Sequence, residues 1–355
     1  MATQTYQFDR VFVIHLRSYG FFHSGKERLV VQVLKRTWDF IPGSTLYGAL
    51  SAALIRLDPP DEDLNHTVPA KGKGDYFKLL RAVEQGHIRF TPLLPAAEAL
   101  QTGPAYCEQA MRLAQGGTPE GEQKKPSAQI AGRLLHTTPH APLARPTEQI
   151  HSDRLYAIRT HRPHLDYYGF IFGRAEQRAW LEKGLRFLPF IPIGGRGKFS
   201  SIEGDVAAEC NLSDFEKELY EWAASRWRVN NDHQGWLRLL TPLVIPKAGI
   251  VELLNSEITQ EVIMTRFQRY RVWRTGRYFN GEAFDAPVGV GPYYDGATDA
   301  LLQAGGAESV AVRAVPENSR FQMKMKNLPQ AVRWFIEGTG HPGWRYLGWG
   351  QVVIE

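Results

Sequence analysis

The residues able to do chemistry in this 355-residue chain fall into three groups, beginning with the histidines. His136, His140, His151, His161 and His164 lie close together, and H-x-x-x-H on a helix would aim two imidazoles at one metal. Pro139, Pro142 and Pro163 break any such helix, so this spacing reads as loop histidines and no metal centre is expected. His15 and His23 flank the first apolar strand. A general acid/base role in RNA cleavage is open to them, and so is a structural one, since spacing places no lysine or tyrosine beside either. No Gly-x-Ser-x-Gly elbow or paired-carboxylate pattern occurs.

Glycine-rich loops form the second group. "GGRGKFSS" at 194–201 lacks the spacing of a nucleotide phosphate loop, and it joins a helix to a strand where that loop joins a strand to a helix. "PVGVGPYYDG" lacks the third glycine and the preceding strand of a dinucleotide fingerprint. What remains at 194–198 is a nest of backbone N–H groups beside Arg196 and Lys198, suited to a phosphodiester, or else a plain tight turn. The chain closes on "GTGHPGWRYLGWGQVVIE", where Trp344, Arg345 and Trp349 sit among glycines. The third group is "RFQRYRVWRTGR", whose arginines, Arg269 and Arg271 among them, alternate with aromatic residues. That pattern fits a single-stranded nucleic acid, and equally a solvated strand whose arginine stems cover apolar surface.

Bulk composition sets limits on these readings. The formal charge of +5 permits a polyanionic partner without requiring one. Two cysteines, Cys107 and Cys210, exclude a disulfide framework and a Cys-rich zinc site. No secretory leader is readable at the start, and "VFVIHL" is too short to span a bilayer, so a cytoplasmic protein without membrane contact is expected.

The elements that must position these groups follow from periodicity. Residues 11–16 read as a strand. In "IPGSTLYGALSAALIRLDPP", Leu46, Leu50, Leu54 and Leu57 make one helical face, with Ser44 as the expected cap and Gly43 and Ser44 offering free N–H groups to a phosphate. Residues 58–149 read as an irregular insertion containing one helix, "DYFKLLRAVEQG", and one extended piece, "HIRFTPLLP". Then come a strand, "YYGFIFG", a helix with Trp180, Leu181, Leu185 and Leu188 buried, and a strand, "DVAAEC". A linking helix follows, with Ser213 and Glu216 as a capping box and Phe215, Leu219 and Trp222 on one face. The second half opens on a strand at 237–245. In "SVAVRAVPENSRFQMKMK", Arg320, Gln322, Lys324 and Lys326 point one way and Phe321, Met323 and Met325 the other, which predicts a strand with a basic solvent face. Its helix buries Leu328, Ala331, Val332, Phe335 and Ile336.

Strand, helix, glycine/aromatic/basic loop and strand therefore occur in order twice, at 167–210 and at 318–355. The expected fold class is α+β: two tandem ferredoxin-like βαββαβ domains at 1–210 and 236–355, joined by a helix within 211–235.

Four segments together resemble the CRISPR-associated RAMP superfamily: "LRSYGFFHSGK", "IPGSTLYGALSAAL", "VRAVPENSRFQMKM" and the terminal "GTGHPGWRYLGWGQVVIE". Weaker likenesses are "HIRFTPLLP", "SDRLYAI…YYGFIFG" and "RLLTPLVIP". Two departures are plain: "HSGKE" stands where an "IGSGE"-like run is usual, and "PIGGRGKFSSIEG" lacks the arginine-rich G-x-R-x-x-G-x-G of many relatives. Two such domains in one chain look most like the subunit that caps the 5′ end of crRNA in type III effector complexes. The resemblance implies a non-catalytic RNA clamp without cofactor or metal. It would hold the repeat-derived 5′ tag, touch the large polymerase-like subunit and the backbone subunits, and meet target RNA only indirectly. Carried over by motif, the RNA-facing positions are Gly43, Ser44, Gly194, Gly195, Arg196, Lys198, Gly343, Trp344, Arg345, Gly348 and Trp349. His23, Lys26, Arg269, Arg271, Arg320 and Lys324 join them as basic neighbours. Three alternatives stay open: a repeat-processing endoribonuclease of the same superfamily, using His15 or His23, a target-cleaving backbone subunit, and a generic protein-interaction module with an incidental basic surface.

Overall fold

A computed structural model describes residues 6–20, 34–35, 38–59, 74–114, 135–140, 156–161, 163–191, 202–229, 234–244, 268–274, 287–292, 309–315, 317, 320–340 and 345–355. The elements of the first half are β1 (Arg10–Ser18), β2 (Leu34–Lys35), α1 (Gly43–Leu57), α2 (Asp75–Glu84), β3 (Arg89–Phe90), β4 (Leu94–Pro95), α3 (Gly103–Ala114), β5 (Leu135–His140), β6 (Tyr156–His161), β7 (Leu165–Gly173), α4 (Arg178–Arg186) and β8 (Ile202–Asn211). Helix α5 (Leu212–Val229) leads to β9 (Gln234–Leu239), β10 (Leu243–Val244), β11 (Gln268–Arg274), β12 (Pro287–Pro292), β13 (Ser309–Val315), β14 (Arg320–Lys324), α6 (Leu328–Glu337) and β15 (Val352–Ile354).

The first sheet runs β3-β7-β1-β8, with β4 also on β7, and every neighbouring pair is antiparallel. Its central strand β1 is apolar on both faces because both are covered. On one side α1 and α4 pack together, and Leu16 gathers with Leu185 and Leu188. On the other, Phe215 of α5 sets its ring 5.0 Å from Phe170 and 5.6 Å from Phe172. The helical faces read from sequence are the buried ones: Trp180, Leu181, Leu185 and Leu188 after β7, and Leu328, Ala331, Val332, Phe335 and Ile336 in α6.

The second half repeats the plan. Strands β14-β9-β15 form an antiparallel sheet in which β14, α6 and β15 stand to β9 as β7, α4 and β8 stand to β1. A four-stranded sheet, β10-β13-β11-β12, and a three-stranded one, β2-β6-β5, complete the described architecture. The chain is therefore mixed α and β, with its main sheets antiparallel.

Three expectations change in detail. "SVAVRAVPENSRFQMKMK" is not one strand: β13 and β14 belong to different sheets, with Glu317 in a turn between them, and the alternation stops at Lys324 because Met325 and Lys326 enter a 3-10 turn ahead of α6. The strand expected over 237–245 divides likewise into β9 and β10, for the same reason that a break lets one segment serve two sheets. Part of the expected insertion is structural, since β3 and β4 pair with β7, and Phe90, Leu93, Leu94 and Tyr106 lie in the core.

The two halves share that core. Tyr106 of α3 lies 5.2 Å from Phe170 and 5.8 Å from Phe335 of α6, ring centre to ring centre. Beside them Arg89 is fully buried. Its Nε donates to the Arg345 carbonyl at 3.1 Å, and Nη1 donates to the carbonyls of Phe335 at 3.0 Å and Ile336 at 2.7 Å. Nη2 donates to the Gln351 side chain. Four of five guanidinium N–H groups on β3 are thus spent on the end of α6 and the terminal loop. Burial pushes the Arg89 pKa down to about 9, still protonated at neutral pH.

Arg89→Lys replaces the planar fork with one point of charge that cannot reach four acceptors. The variant is expected to lose about 2–4 kcal/mol, because buried carbonyls are left unpaired. Urea denaturation followed by tryptophan fluorescence and far-UV circular dichroism measures this; a midpoint equal to wild type would remove Arg89 as the joint between the halves.

Candidate nucleic-acid interface

Strict alternation on β9 and β14 builds a sheet face with basic and aromatic side chains on its outer side. Gly235, Leu237, Leu239, Phe321 and Met323 are buried, while Gln234, Trp236, Arg238, Arg320, Gln322 and Lys324 are half-buried or exposed. Antiparallel register sets Arg320 opposite Arg238, Gln322 opposite Trp236 and Lys324 opposite Gln234. The Arg320 guanidinium carbon sits 4.5 Å from the centre of the Trp236 ring. Arg320 Nε donates to Glu355 Oε2 at 2.8 Å, and Arg238 Nε donates to Glu355 Oε1. One sheet face therefore offers an aromatic ring, two guanidinium groups, an ammonium and two amides, Gln322 Nε2 donating to Gln234 Oε1, within a few residues. These groups suit stacking of an unpaired base and neutralisation of its phosphates. Arg320 and Lys324 were legible from alternation; Trp236 and Arg238 were missed, although Gln234, Trp236 and Arg238 follow the same two-residue period.

Two of the glycines singled out in the sequence, Gly43 and Gly348, lie at a close contact between backbone segments. Helix α1 begins at Gly43, and the Pro42 carbonyl accepts from Thr45 N–H at 2.9 Å. Ser44 is therefore inside the helix and buried, not its cap. A Cβ on Gly43 would lie 2.7 Å from the Leu347 carbonyl oxygen; on Gly348, at φ +86°, it would lie 2.9 Å from the Phe90 carbonyl oxygen and 3.4 Å from Gly43 Cα. The helix start and the terminal loop lie against each other, so these glycines admit a second backbone where a ligand was expected. Trp349 is buried too, its ring 6.0 Å from Trp38. Arg345 is half-buried, with Nη2 donating to the Tyr346 hydroxyl at 3.1 Å.

His15 lies on β1 between two carboxylates. Nε2 is 2.8 Å from Asp166 Oδ1, Nδ1 is 3.2 Å from Asp205 Oδ1, and the ring stacks on Tyr168 at 4.8 Å. A neutral imidazole carries one N–H and serves one of these carboxylates; the imidazolium serves both. Either way both nitrogens already face a protein partner. His136 and His140 fall on strand β5 and His161 on β6, as the prolines required of a non-helical segment. Among the described residues no cluster of metal-ligating side chains occurs, and no helix is long and apolar enough to cross a membrane.

Arg269 and Arg271 lie two residues apart on β11, opposite Arg313 and Ala311 of β13. His23, Lys26, Gly194, Gly195, Arg196, Lys198, Gly343 and Trp344 fall outside the described residues.

A separate cleft of about 570 Å³ opens between α2 and α4, lined by Lys78, Arg81, His87, Glu176, Trp180 and Lys183 around Asp75. Burial alone would raise the Asp75 pKa, but hydrogen bonds from Lys78 at 2.9 Å and Lys183 at 3.1 Å outweigh it and hold the carboxyl below its usual value. A depressed carboxyl stabilises the fold above its unfolded pKa and loses that contribution as pH falls through the folded one. Asp75→Asn is thus expected to flatten the acid limb of the melting temperature plotted against pH and to leave its alkaline limb unchanged. An acid limb as steep as wild type would show that Asp75 carries no such contribution.

The close approach at α1 makes a paired prediction. Gly43→Ala is expected to cost about 1–3 kcal/mol, because the Leu347 carbonyl must move. Gly48→Ala, in the same helix with nothing within 4 Å of its Cβ, is expected to gain about 0.5–1 kcal/mol. Urea midpoints of the two variants should move in opposite directions; equal shifts would refute the contact.

No family model matches the chain, and no curated protein matches it. Among solved structures it is similar to a chain in a cryo-EM structure of type III-B Cmr-beta bound to cognate target RNA and AMPPnP, with 12% identity over 87% of this chain and 86% of that one and a TM-score of 0.39. A chain from Cmr-beta bound to cognate target RNA gives 11% identity, the same two coverages and a TM-score of 0.40. A chain from the Csm3-Csm4 subcomplex of the type III-A CRISPR-Cas interference complex gives 14% identity over 88% and 93%, also with a TM-score of 0.40. The structural neighbours of this chain thus come from type III CRISPR Cmr and Csm assemblies.

Proposed function

We propose that this chain is a non-catalytic RNA-binding subunit of a type III CRISPR effector complex. In this reading it clamps the repeat-derived 5′ tag of crRNA and touches the large polymerase-like subunit and the backbone subunits. The observation that carries it is the β9–β14 face, where Trp236 underlies Arg320 beside Arg238, Gln322 and Lys324. The superfamily resemblance of the four sequence segments supplies the biological context. The repeated order β7-β1-β8 and β14-β9-β15 supports two tandem ferredoxin-like domains, with boundaries at 1–210 and 236–355 and α5 between them.

The chemistry suits the role. An open sheet face reads unpaired RNA by stacking bases on aromatic rings and pairing phosphates with arginine and lysine, while amides select base edges. Trp236 is the stacking platform, Gln322 the hydrogen-bonding group, and Arg320 and Lys324 the phosphate partners. Resemblance adds Arg196, Lys198 and Trp344 as further RNA contacts. The non-catalytic part of the reading rests on the resemblance and on His15, whose ring nitrogens both face carboxylates.

A filter-binding titration with tagged and untagged single-stranded RNA tests this. Trp236→Ala is expected to weaken binding about tenfold, the loss of one stacked base. Lys324→Ala is expected to reduce the salt slope by about 0.7, the loss of one phosphate contact to a single strand. Unchanged affinity and slope in both variants would reject this face as the RNA site. Metal-independent cleavage of repeat RNA that is abolished by His15→Ala would instead make the chain an endoribonuclease.

A further inference from the structure

The arginine pair on the β9–β14 face is already occupied by an anion of the protein's own. Glu355 sets Oε1 against Arg238 Nε and Oε2 at 2.5 Å from Arg320 Nη2 and 2.8 Å from its Nε. Two main-chain bonds hold the residue there: its N–H donates to the Trp236 carbonyl at 2.8 Å, and its carbonyl accepts from Trp227 Nε1 at 2.9 Å. The carboxylate is 10% exposed and Arg238 14%, whereas Arg320 is 44% exposed on top of Trp236. A two-oxygen anion fixed by its backbone, spanning two guanidinium groups beside an aromatic ring, occupies the place a phosphodiester would take.

We propose that Arg238 and Arg320 form an anion site for a phosphodiester and that the Glu355 carboxylate is its built-in competitor. The phosphate displaces the carboxylate from Arg320, the solvent-facing arm, while the main-chain bonds at Trp236 and Trp227 keep the strand end in place. RNA binding at this face then carries the cost of releasing Glu355, which lowers affinity for short or weakly stacked strands and favours those that also engage Trp236. The inference takes its ligand from the RNA-binding reading, but the anion site stands on the geometry alone.

The test uses the full chain with Glu355→Gln and Glu355→Ala, which keep both main-chain bonds, and with Glu218→Gln, an exposed change on α5 that removes the same charge elsewhere. Inorganic pyrophosphate is the first probe. It is expected to raise the melting temperature of both Glu355 variants and to leave wild type, Glu218→Gln and the double variant Glu355→Gln/Arg320→Ala unmoved. Single-stranded RNA is the second. Both Glu355 variants are expected to bind it about tenfold more tightly at low salt, with a slope steeper by about 0.7, the count for one added phosphate contact. Pyrophosphate stabilisation without tighter RNA binding would uphold the anion site and count against RNA as its ligand. No pyrophosphate effect on either folded variant, or an equal gain in Glu218→Gln, would overturn the inference, even where wild type binds RNA.

Discussion

The structure depends on one buried cation. Arg89 enters from β3, in the sheet of the first half, and spends its guanidinium on the last turn of α6 and on the terminal loop. A guanidinium taken out of water is costly unless its donors are met. Here the acceptors are carbonyls at a helix C-terminus, which lack intrahelical partners and lie at the negative end of the helix dipole. Each side therefore solves the other's problem: the cation is solvated by protein oxygens, and the helix end is capped by a residue some 250 positions away in sequence. Tyr106, Phe170, Phe215 and Phe335 pack around this joint, so the two halves share one aromatic core.

That joint accounts for what the sequence disclosed and what it concealed. Helical stripes such as Leu328–Ala331–Val332–Phe335–Ile336 were legible because burial on one side imposes a 3.6-residue period. The alternation of Arg320 to Lys324 was legible because a strand with one wet face imposes a period of two. Arg89 carried no such mark. In "HIRFTPLLP" it looks like an ordinary surface arginine, and only the fold brings α6 within its reach. Segment ends were hidden for a related reason: β13 and β14 are contiguous in pattern, yet they serve different sheets.

Gly43 and Gly348 show how much a glycine leaves open. A missing Cβ allows close approach by whatever arrives, and sequence does not name the visitor. At Gly43 and Gly348 the visitor is each other's chain, which turns two motifs that looked like separate ligand loops into one packing contact. Trp349 is buried in the core, whereas Trp236, in a different strand, carries Arg320 over its ring.

Alternation also explains why the basic face can exist beside so firm a core. On β9 and β14 every second residue is buried, which leaves the intervening ones to the outer face of the sheet. Like charges set directly opposite on neighbouring strands repel, so Arg238 facing Arg320 is a pairing that destabilises the sheet unless an anion lies between them. Glu355 is that anion, fixed by the strand order that brings β15 beside β9. The fold therefore creates a site for negative charge and fills it from its own chain, and any phosphate bound there enters a place whose geometry a carboxylate has already set.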